Sequence, residues 1–130
     1  MEAVAKLKSV PMSARKMRLV VDLIRGKEAD EALDILRFTK KEASEWLEKA
    51  VLSAIANWEH KLEGRESADD YDLYISEAFC DQGAQLKRFR PAPHGRAHRI
   101  RKHTCHVTLK VENRFALPQE EEVEEAEAAE

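Results

Sequence analysis

A basic segment of 18 residues constrains this chain more than any other feature, because it cannot contribute to an apolar core. It runs from Leu86 to His103 (LKRFRPAPHGRAHRIRKH), and from Gln82 to Val111 the chain has eight Lys or Arg and no Asp or Glu. Read as an extended hairpin, it has basic residues on both faces, so neither face can pack on the rest of the protein. Pro91 and Pro93 remove backbone donors and Gly95 tolerates positive φ, which places the tip at Pro91 to Gly95.

A two-stranded ribbon that projects from its core is marginally stable in water, and this one also repels itself. From Gln82 to its tip the arm could extend roughly 30 Å, at about 3.3 Å per residue. A polyanion would stabilise it, since each Lys or Arg placed against a phosphate releases a counterion and guanidinium planes stack on unpaired bases. RNA is favoured over duplex DNA because the sequence offers no recognition helix. The alternatives are a solvated charged loop, or a general nucleic-acid chaperone or DNA-binding module.

The formal net charge of −3 conceals this basic character. Seven glutamates fall in Pro118 to Glu130, and without them 22 basic residues face 18 acidic ones. We therefore interpret residues 1–117 as a single globular RNA-binding domain from which residues 82–103 protrude, followed by a disordered acidic tail, 118–130. No apolar run approaches the ~20 residues that span a bilayer, so a soluble cytoplasmic protein without a membrane partner is expected. Cys80 and Cys105 are expected to be free thiols.

Three helices are predicted ahead of the basic segment. The first follows Ser13, whose hydroxyl can cap the first amides, and ends at Gly26. Its apolar stripe recurs at i, i+3, i+4 and i+7 and consists of Met17, Val20, Val21 and Ile24. The second helix is predicted to run from an Asp30 N-cap to about Phe38 and to bury Ala32, Leu33, Ile35 and Leu36.

The third and longest helix is predicted to begin with a capping box formed by Thr39 and Glu42. Its apolar residues follow a 3/4 spacing down one face. Both tryptophans fall on this stripe, so we predict that they are core residues and not stacking platforms. The stripe consists of Ala43, Trp46, Leu47, Ala50, Val51, Ala54, Ile55 and Trp58.

After a polar loop with Gly64, Ser67, Asp69 and Asp70, the apolar period changes to two, which is typical of half-buried strands. One strand places on its apolar side Tyr71, Leu73, Ile75 and Phe79. A second, predicted to pair antiparallel with the first, buries Cys105, Val107, Leu109 and Val111. A third could come from Ala3, Ala5 and Leu7. The predicted class is α+β, with three helices on one face of a small antiparallel sheet and a long basic β-hairpin extension.

A zinc site is the strongest alternative chemistry, because ligand-type residues cluster at His94, His98, His103, Cys105 and His106. It is disfavoured since His103 and His106 would point to opposite faces of a strand and the nearby arginines repel a divalent cation. The sequence has no Ser-His-Asp, paired-carboxylate or phosphate-loop signature. We therefore expect no enzyme activity, no metal and no cofactor.

Four separated stretches stand in the order of one known family. They are SARKMRLVVDLIRGK from Ser13, ALDIL from Ala32, SAIAN with Glu59-His60 from Ser53, and the hairpin positions Lys87-Arg88, Pro91, Gly95-Arg96-Ala97, Ile100, Thr104 and His106. In these residues the chain, from about Ala3 to Arg114, resembles the bacterial large-subunit ribosomal protein L twenty-two. It departs from that family at Ala92, where Arg is common, and at Lys102-His103, where Lys-Arg is common.

The resemblance implies an early-assembling structural constituent of the large ribosomal subunit that contacts large-subunit ribosomal RNA and neighbouring ribosomal proteins. Its hairpin, Lys87 to Arg99, would line the nascent-peptide exit tunnel and meet the nascent peptide. It implies no homo-oligomer. Taken with the charge pattern, it predicts the RNA-binding set Lys6, Lys8, Ser13, Arg15, Lys16, Arg18, Arg25, Lys27, Lys87, Arg88, Arg90, His94, Arg96, His98, Arg99, Arg101, Lys102 and His103.

Overall fold

A three-stranded antiparallel sheet is the base of the fold, and a separate two-stranded ribbon projects from it. The computed structural model describes residues 2–62 and 71–114, so the predicted polar loop and acidic tail lie outside the described residues. Within those ranges, none of the helices has the length and apolar content to cross a bilayer. In chain order the elements are β1 (Glu2–Val10), α1 (Ala14–Ile24), α2 (Ala29–Phe38), α3 (Glu42–Lys61), β2 (Leu73–Gln82), β3 (Leu86–Pro91), β4 (Ala97–Lys102) and β5 (Cys105–Asn113).

The central strand is β5, which pairs antiparallel with β1 on one side and β2 on the other. The predicted alternation along β5 is confirmed, since Cys105, Val107, Leu109 and Val111 are all fully buried. The predicted third strand is confirmed as β1, where Ala3 and Ala5 face the same core. The helices cover that one side of the sheet, which confirms the α+β class.

A β-bulge in β2 overturns part of the predicted alternation. Leu73 and Ile75 are buried as expected, but the register with β5 shifts between Ile75 and Glu77. One extra residue reverses which side each following side chain faces. Phe79, predicted to lie on the apolar side, is therefore 41% exposed, and Ala78 and Cys80 take the core positions instead.

Helix α1 agrees with its prediction. The Ser13 hydroxyl accepts a hydrogen bond from the Lys16 amide, and the helix ends just before Gly26, which has φ +78°. The four residues of the predicted apolar stripe all have zero exposure.

The predicted start of α2 is wrong by two residues. The N-cap is Glu28, whose backbone is extended, as is usual for an N-cap, and forms a bridge to Tyr74 of β2. Asp30 lies inside the first turn, where its negative charge interacts favourably with the positive end of the helix dipole, but it is not the N-cap residue. The predicted end at Phe38 is confirmed, and of the four predicted core residues only Ile35 is not fully buried.

The predicted capping box of α3 is also wrong. The N-cap is Lys41, and the Thr39 hydroxyl donates to the Ile35 carbonyl, so Thr39 closes α2. Trp58 is fully buried beside Tyr71, with ring centroids 5.7 Å apart. Trp46 is only half-buried, with the Lys49 ammonium 5.6 Å from its ring centroid, so the prediction that both tryptophans are core residues holds for one.

Candidate nucleic-acid interface

The two-stranded ribbon, here called the basic hairpin, consists of β3, β4 and the turn between them. In an antiparallel pair, residues directly opposite each other share a face. One side, the Arg88 face, contains Leu86, Arg88, Arg90, His98, Ile100 and Lys102. The other, the Phe89 face, contains Lys87, Phe89, Pro91, Ala97, Arg99 and Arg101. All these residues are exposed except Ile100, which is half-buried, so neither face packs on the helices.

The turn lies where the sequence predicts it. Pro93–Gly95 form a single 3-10 turn, and the Ala92 amide closes it by donating to the Arg96 carbonyl at 2.8 Å. His94 and Gly95 both have left-handed φ, of 64° and 69°, which glycine adopts without strain. The turn directs His94 and Arg96 into solvent at the far end of the hairpin.

Close packing at the root fixes the direction of the hairpin. The Gly83 amide donates to the Thr104 carbonyl at 2.9 Å, and the Thr104 hydroxyl donates to the Ala84 carbonyl at 2.6 Å. A Cβ at position 83 would stand 2.6 Å from the Thr104 hydroxyl oxygen, so a larger residue cannot enter without displacing it. The Ser9 amide of β1 donates to Nδ1 of His106 at 3.0 Å, which ties the root to the sheet edge.

The start of α1 lies beside this root. β1 ends at Val10, which pairs with Cys105 at the beginning of β5, and only a short turn separates it from the helix. An open cleft results between helix and hairpin, lined by Ser13, Ala14, Arg15, Lys16, Arg18, Gln82 and His103. The structure thus brings His103, at the hairpin root, beside predicted RNA-binding residues of α1 and its N-cap that precede it by 85 to 90 positions, namely Ser13, Arg15, Lys16 and Arg18.

Two arginines of the predicted set donate hydrogen bonds to the sheet, although Arg18 also lines the cleft. Arg25 donates through Nε and Nη2 to the Ala78 carbonyl at 3.0 and 2.7 Å, and Arg18 donates through Nε to the Cys80 carbonyl at 3.0 Å. Both carbonyls belong to β2, an edge strand of the sheet. Unpaired edge groups invite pairing with another chain, so these guanidinium groups protect the edge.

The other outer edge is covered in the same manner. Asn57 and Lys61 of α3 donate to the Val4 and Glu2 carbonyls of β1, at 3.1 and 2.6 Å. Sequence reasoning missed this role for α3, because nothing in its apolar spacing specifies which polar residues reach a strand.

The remaining predicted RNA-binding residues outside the hairpin are Lys6 and Lys8 of β1 and Lys27, which follows α1. Lys6 and Lys8 are exposed on the side of β1 away from the core, and Lys6 is paired in register with Thr108. Lys27 is also exposed, but its carbonyl accepts from the Ile75 amide. Ile75 is seven residues before Gln82 on β2, roughly 23 Å along a strand at ~3.3 Å per residue, so Lys27 lies far from the hairpin root.

The cysteines and histidines do not form a metal site within residues 2–62 and 71–114. His94 is at the tip, while Cys105 is buried in the sheet. Cys80 and Cys105 are both free, as predicted, and lie on adjacent strands. Burial and the neighbouring Cys105 raise the pKa of the Cys80 thiol to about 12, and burial also raises the pKa of Cys105. Neutral, buried thiols are poor nucleophiles and poor metal ligands.

Phe89 is the residue that sequence reasoning missed. It stands 71% exposed on the Phe89 face, directly opposite Arg99. The available signal was an aromatic residue placed between basic residues, Lys87-Arg88 before it and Arg90 after it.

The chain is similar to known proteins of one family. The model of the family described as Ribosomal protein L22p/L17e matches residues 5–112. Proteins named "Large ribosomal subunit protein uL22" are similar over most of the chain. The one from Christiangramia forsetii is 55% identical over 107 residues, 82% of this chain and 78% of the relative. Those from Bacteroides fragilis and Flavobacterium psychrophilum are 54% and 56% identical, over 85% and 82% of this chain and 79% and 77% of the relatives.

Proposed function

Since the chain belongs to the ribosomal protein L22p/L17e family, and so is a structural constituent of the large ribosomal subunit and not an enzyme, we propose that it binds large-subunit ribosomal RNA. The contacts would come from the basic hairpin and from the first turn of α1. The hairpin would extend along the nascent-peptide exit tunnel, among neighbouring ribosomal proteins.

The observation that carries the proposal is the exposure of charge on both faces of the basic hairpin. Its two strands contain six Lys or Arg, and the turn between them adds Arg96. The segment from Leu86 to Lys102 contains no acidic residue, and none of its side chains is fully buried. A ribbon of two strands gains too little from its own contacts to be rigid in water. Phosphates on both sides would neutralise it and release counterions, which favours association.

The cleft at the hairpin root supports the same ligand. Arg15 and Lys16 are exposed there, and the first turn of α1 contains no acidic residue. The amino-terminal end of a helix is electropositive, so a phosphate in the cleft would meet both side-chain cations and the helix dipole. In this arrangement Arg18 and Arg25 act mainly by fixing α1 against β2.

The shape of the hairpin supports its place along a tunnel. Each strand has six residues, and at ~3.3 Å per residue each arm spans roughly 20 Å between root and turn. Its width is that of two strands, about 5 Å between backbones. A rod of this form can follow a passage within folded RNA and present its tip to a peptide inside it.

Salt-dependent binding of the full chain to large-subunit ribosomal RNA, compared with duplex DNA at matched salt, tests the proposal. The test variant replaces Arg88, Arg90, Arg99 and Arg101 with glutamine, and the charge-matched control replaces Arg37, Lys40, Lys41 and Lys49 of α2, α3 and their connection.

We expect wild type and control to lose affinity for RNA steeply between ~50 and 200 mM salt, with weaker binding to DNA. If the four arginines each contact a phosphate, the slope of log K against log salt should fall by about 3 in the hairpin variant, at ~0.7 to 0.9 per contact. A wild-type affinity that does not change with salt, or equal slopes in the two variants, would rule out binding through the hairpin.

A further inference from the structure

The exposed aromatic ring on the basic hairpin has no structural explanation within residues 2–62 and 71–114. Phe89 is 71% exposed, although burial of a phenylalanine side chain is strongly favourable. Along its strand, the neighbours on the same face are Lys87 and Pro91, and across the ribbon they are Arg99 and Arg101. The apolar residues Leu86 and Ile100 belong to the opposite face, and they leave most of the ring exposed.

The cations around the ring form a concave surface with it. A shallow depression of about 270 Å³ is lined by Lys87, Arg88, Phe89, Arg99, Ile100 and Arg101. Four of these six residues are Lys or Arg, and within the described part of the chain the hairpin has no acidic residue. The depression therefore combines one flat apolar surface with several anion-binding groups.

An unpaired nucleotide matches this combination. The base has a π-face that stacks on an aromatic ring, and the phosphates on either side of it accept from guanidinium and ammonium groups. A paired base inside a duplex cannot present that face, because its neighbours cover it. An apolar segment of a protein could cover the ring, but it would leave at least three cations without counterions.

We propose that Phe89 is the stacking platform for one unpaired base of folded RNA, with Lys87, Arg99 and Arg101 holding the flanking phosphates. This rests on the proposed RNA-binding function and adds to it a sequence-tolerant contact that does not depend on charge. Phe89 would also fix the position of the hairpin along the RNA, since a stacked ring tolerates less sliding than phosphate contacts do.

The test measures binding of the full chain to transcribed large-subunit ribosomal RNA across a range of salt concentrations. Phe89→Ala removes the ring, Phe89→Leu keeps apolar volume without a flat surface, and Phe89→Trp keeps a ring. Phe38→Ala is the matched control, because Phe38 at the end of α2 is 84% exposed and outside the hairpin. Far-ultraviolet circular dichroism checks that each variant is folded, which we expect since neither side chain is buried.

Stacking contributes about 1 to 3 kcal/mol per base, so Phe89→Ala should weaken binding about 5- to 150-fold at every salt concentration and leave the salt slope unchanged. Phe89→Leu should lose nearly as much, and Phe89→Trp and Phe38→Ala should bind like wild type. If wild-type binding does not depend on salt, RNA binding through the hairpin is itself wrong. If salt-dependent binding is intact but Phe89→Ala or Phe89→Leu matches wild type, stacking is refuted and RNA binding stands, and a protein segment becomes the better candidate for covering the ring.

Discussion

Arg15 and Arg25 lie ten residues apart, at the two ends of α1, and the structure predicts opposite consequences for their loss. Arg25→Met keeps the aliphatic stem but removes the two donors to the Ala78 carbonyl, at 3.0 and 2.7 Å. It also removes the ion pair between Arg25 and Asp22, whose closest atoms are 2.7 Å apart. The edge of β2 then loses a direct connection to the helix.

The expected cost follows from these contacts. A hydrogen bond from a charged donor contributes about 1.5 to 3 kcal/mol, and the half-exposed position of Arg25 places it at the lower end. The ion pair is exposed on both sides and adds at most about 1 kcal/mol. We therefore expect Arg25→Met to lower the free energy of unfolding by roughly 2 kcal/mol. With an m-value of ~1 to 3 kcal/mol per molar urea, the midpoint should fall by about 1 M.

Urea unfolding followed by circular dichroism measures this change, and Arg15→Met is the matched control. Arg15 is exposed in the cleft, so its replacement should change stability by less than about 0.5 kcal/mol. Ribosomal RNA binding should show the reverse order, with Arg15→Met the weaker binder. An Arg25→Met midpoint equal to that of wild type would refute the edge-protecting role, as would an equal loss of stability in Arg15→Met.

Two further predictions concern the hairpin root and the buried thiols. Gly83→Ala should lower the free energy of unfolding by about 1 to 2 kcal/mol in the same urea assay, because the added Cβ displaces the Thr104 hydroxyl from the Ala84 carbonyl. Adding Thr104→Val, which removes the same hydrogen bond, should then lower it by little more. Fully additive losses would contradict the mechanism. Burial raises the pKa of the Cys80 thiol to about 12 from an ordinary 9.0, so this thiol ionises at lower pH in the unfolded chain than in the folded one. The stabilisation from the neutral thiol should be fully present below pH 9 and be lost as the pH rises from 9 toward 12. Urea midpoints at pH 8 and pH 10.5 should therefore differ less in Cys80→Ala than in wild type, and equal differences would show that the thiol is not responsible.

Local pattern predicted most of the elements, and the exceptions have identifiable physical causes. The spacing of apolar residues was sufficient for α1 and β5, where every residue of the stripe is buried. It failed at Phe79, because a bulge after Ile75 reverses the side-chain direction and no residue type announces it. It failed at Thr39, because a hydroxyl between two helices can serve either one, and packing decided for α2.

The candidate site also combines features that the sequence predicts with features that it does not. Exposure of the hairpin cations was predictable, since a segment with charge on both faces has no side to bury. The roles of Arg18 and Arg25 were not, because an arginine on the flank of a helix reaches either solvent or a strand edge, and only the position of β2 selects between them. Phe89 was visible in the sequence, yet its opposite neighbour depends on the register of β3 and β4.

The sequence by itself determined that a basic ribbon must protrude from an α+β core, because hydrophobic burial is fixed by residue type and spacing. Tertiary structure decided that Arg18 and Arg25 bond to the edge of β2, whereas Arg15 and Lys16 extend into the cleft. Hydrogen bonds to edge carbonyls and the cleft between α1 and the hairpin root depend on the placement of residues distant in the chain, and no local pattern encodes that placement.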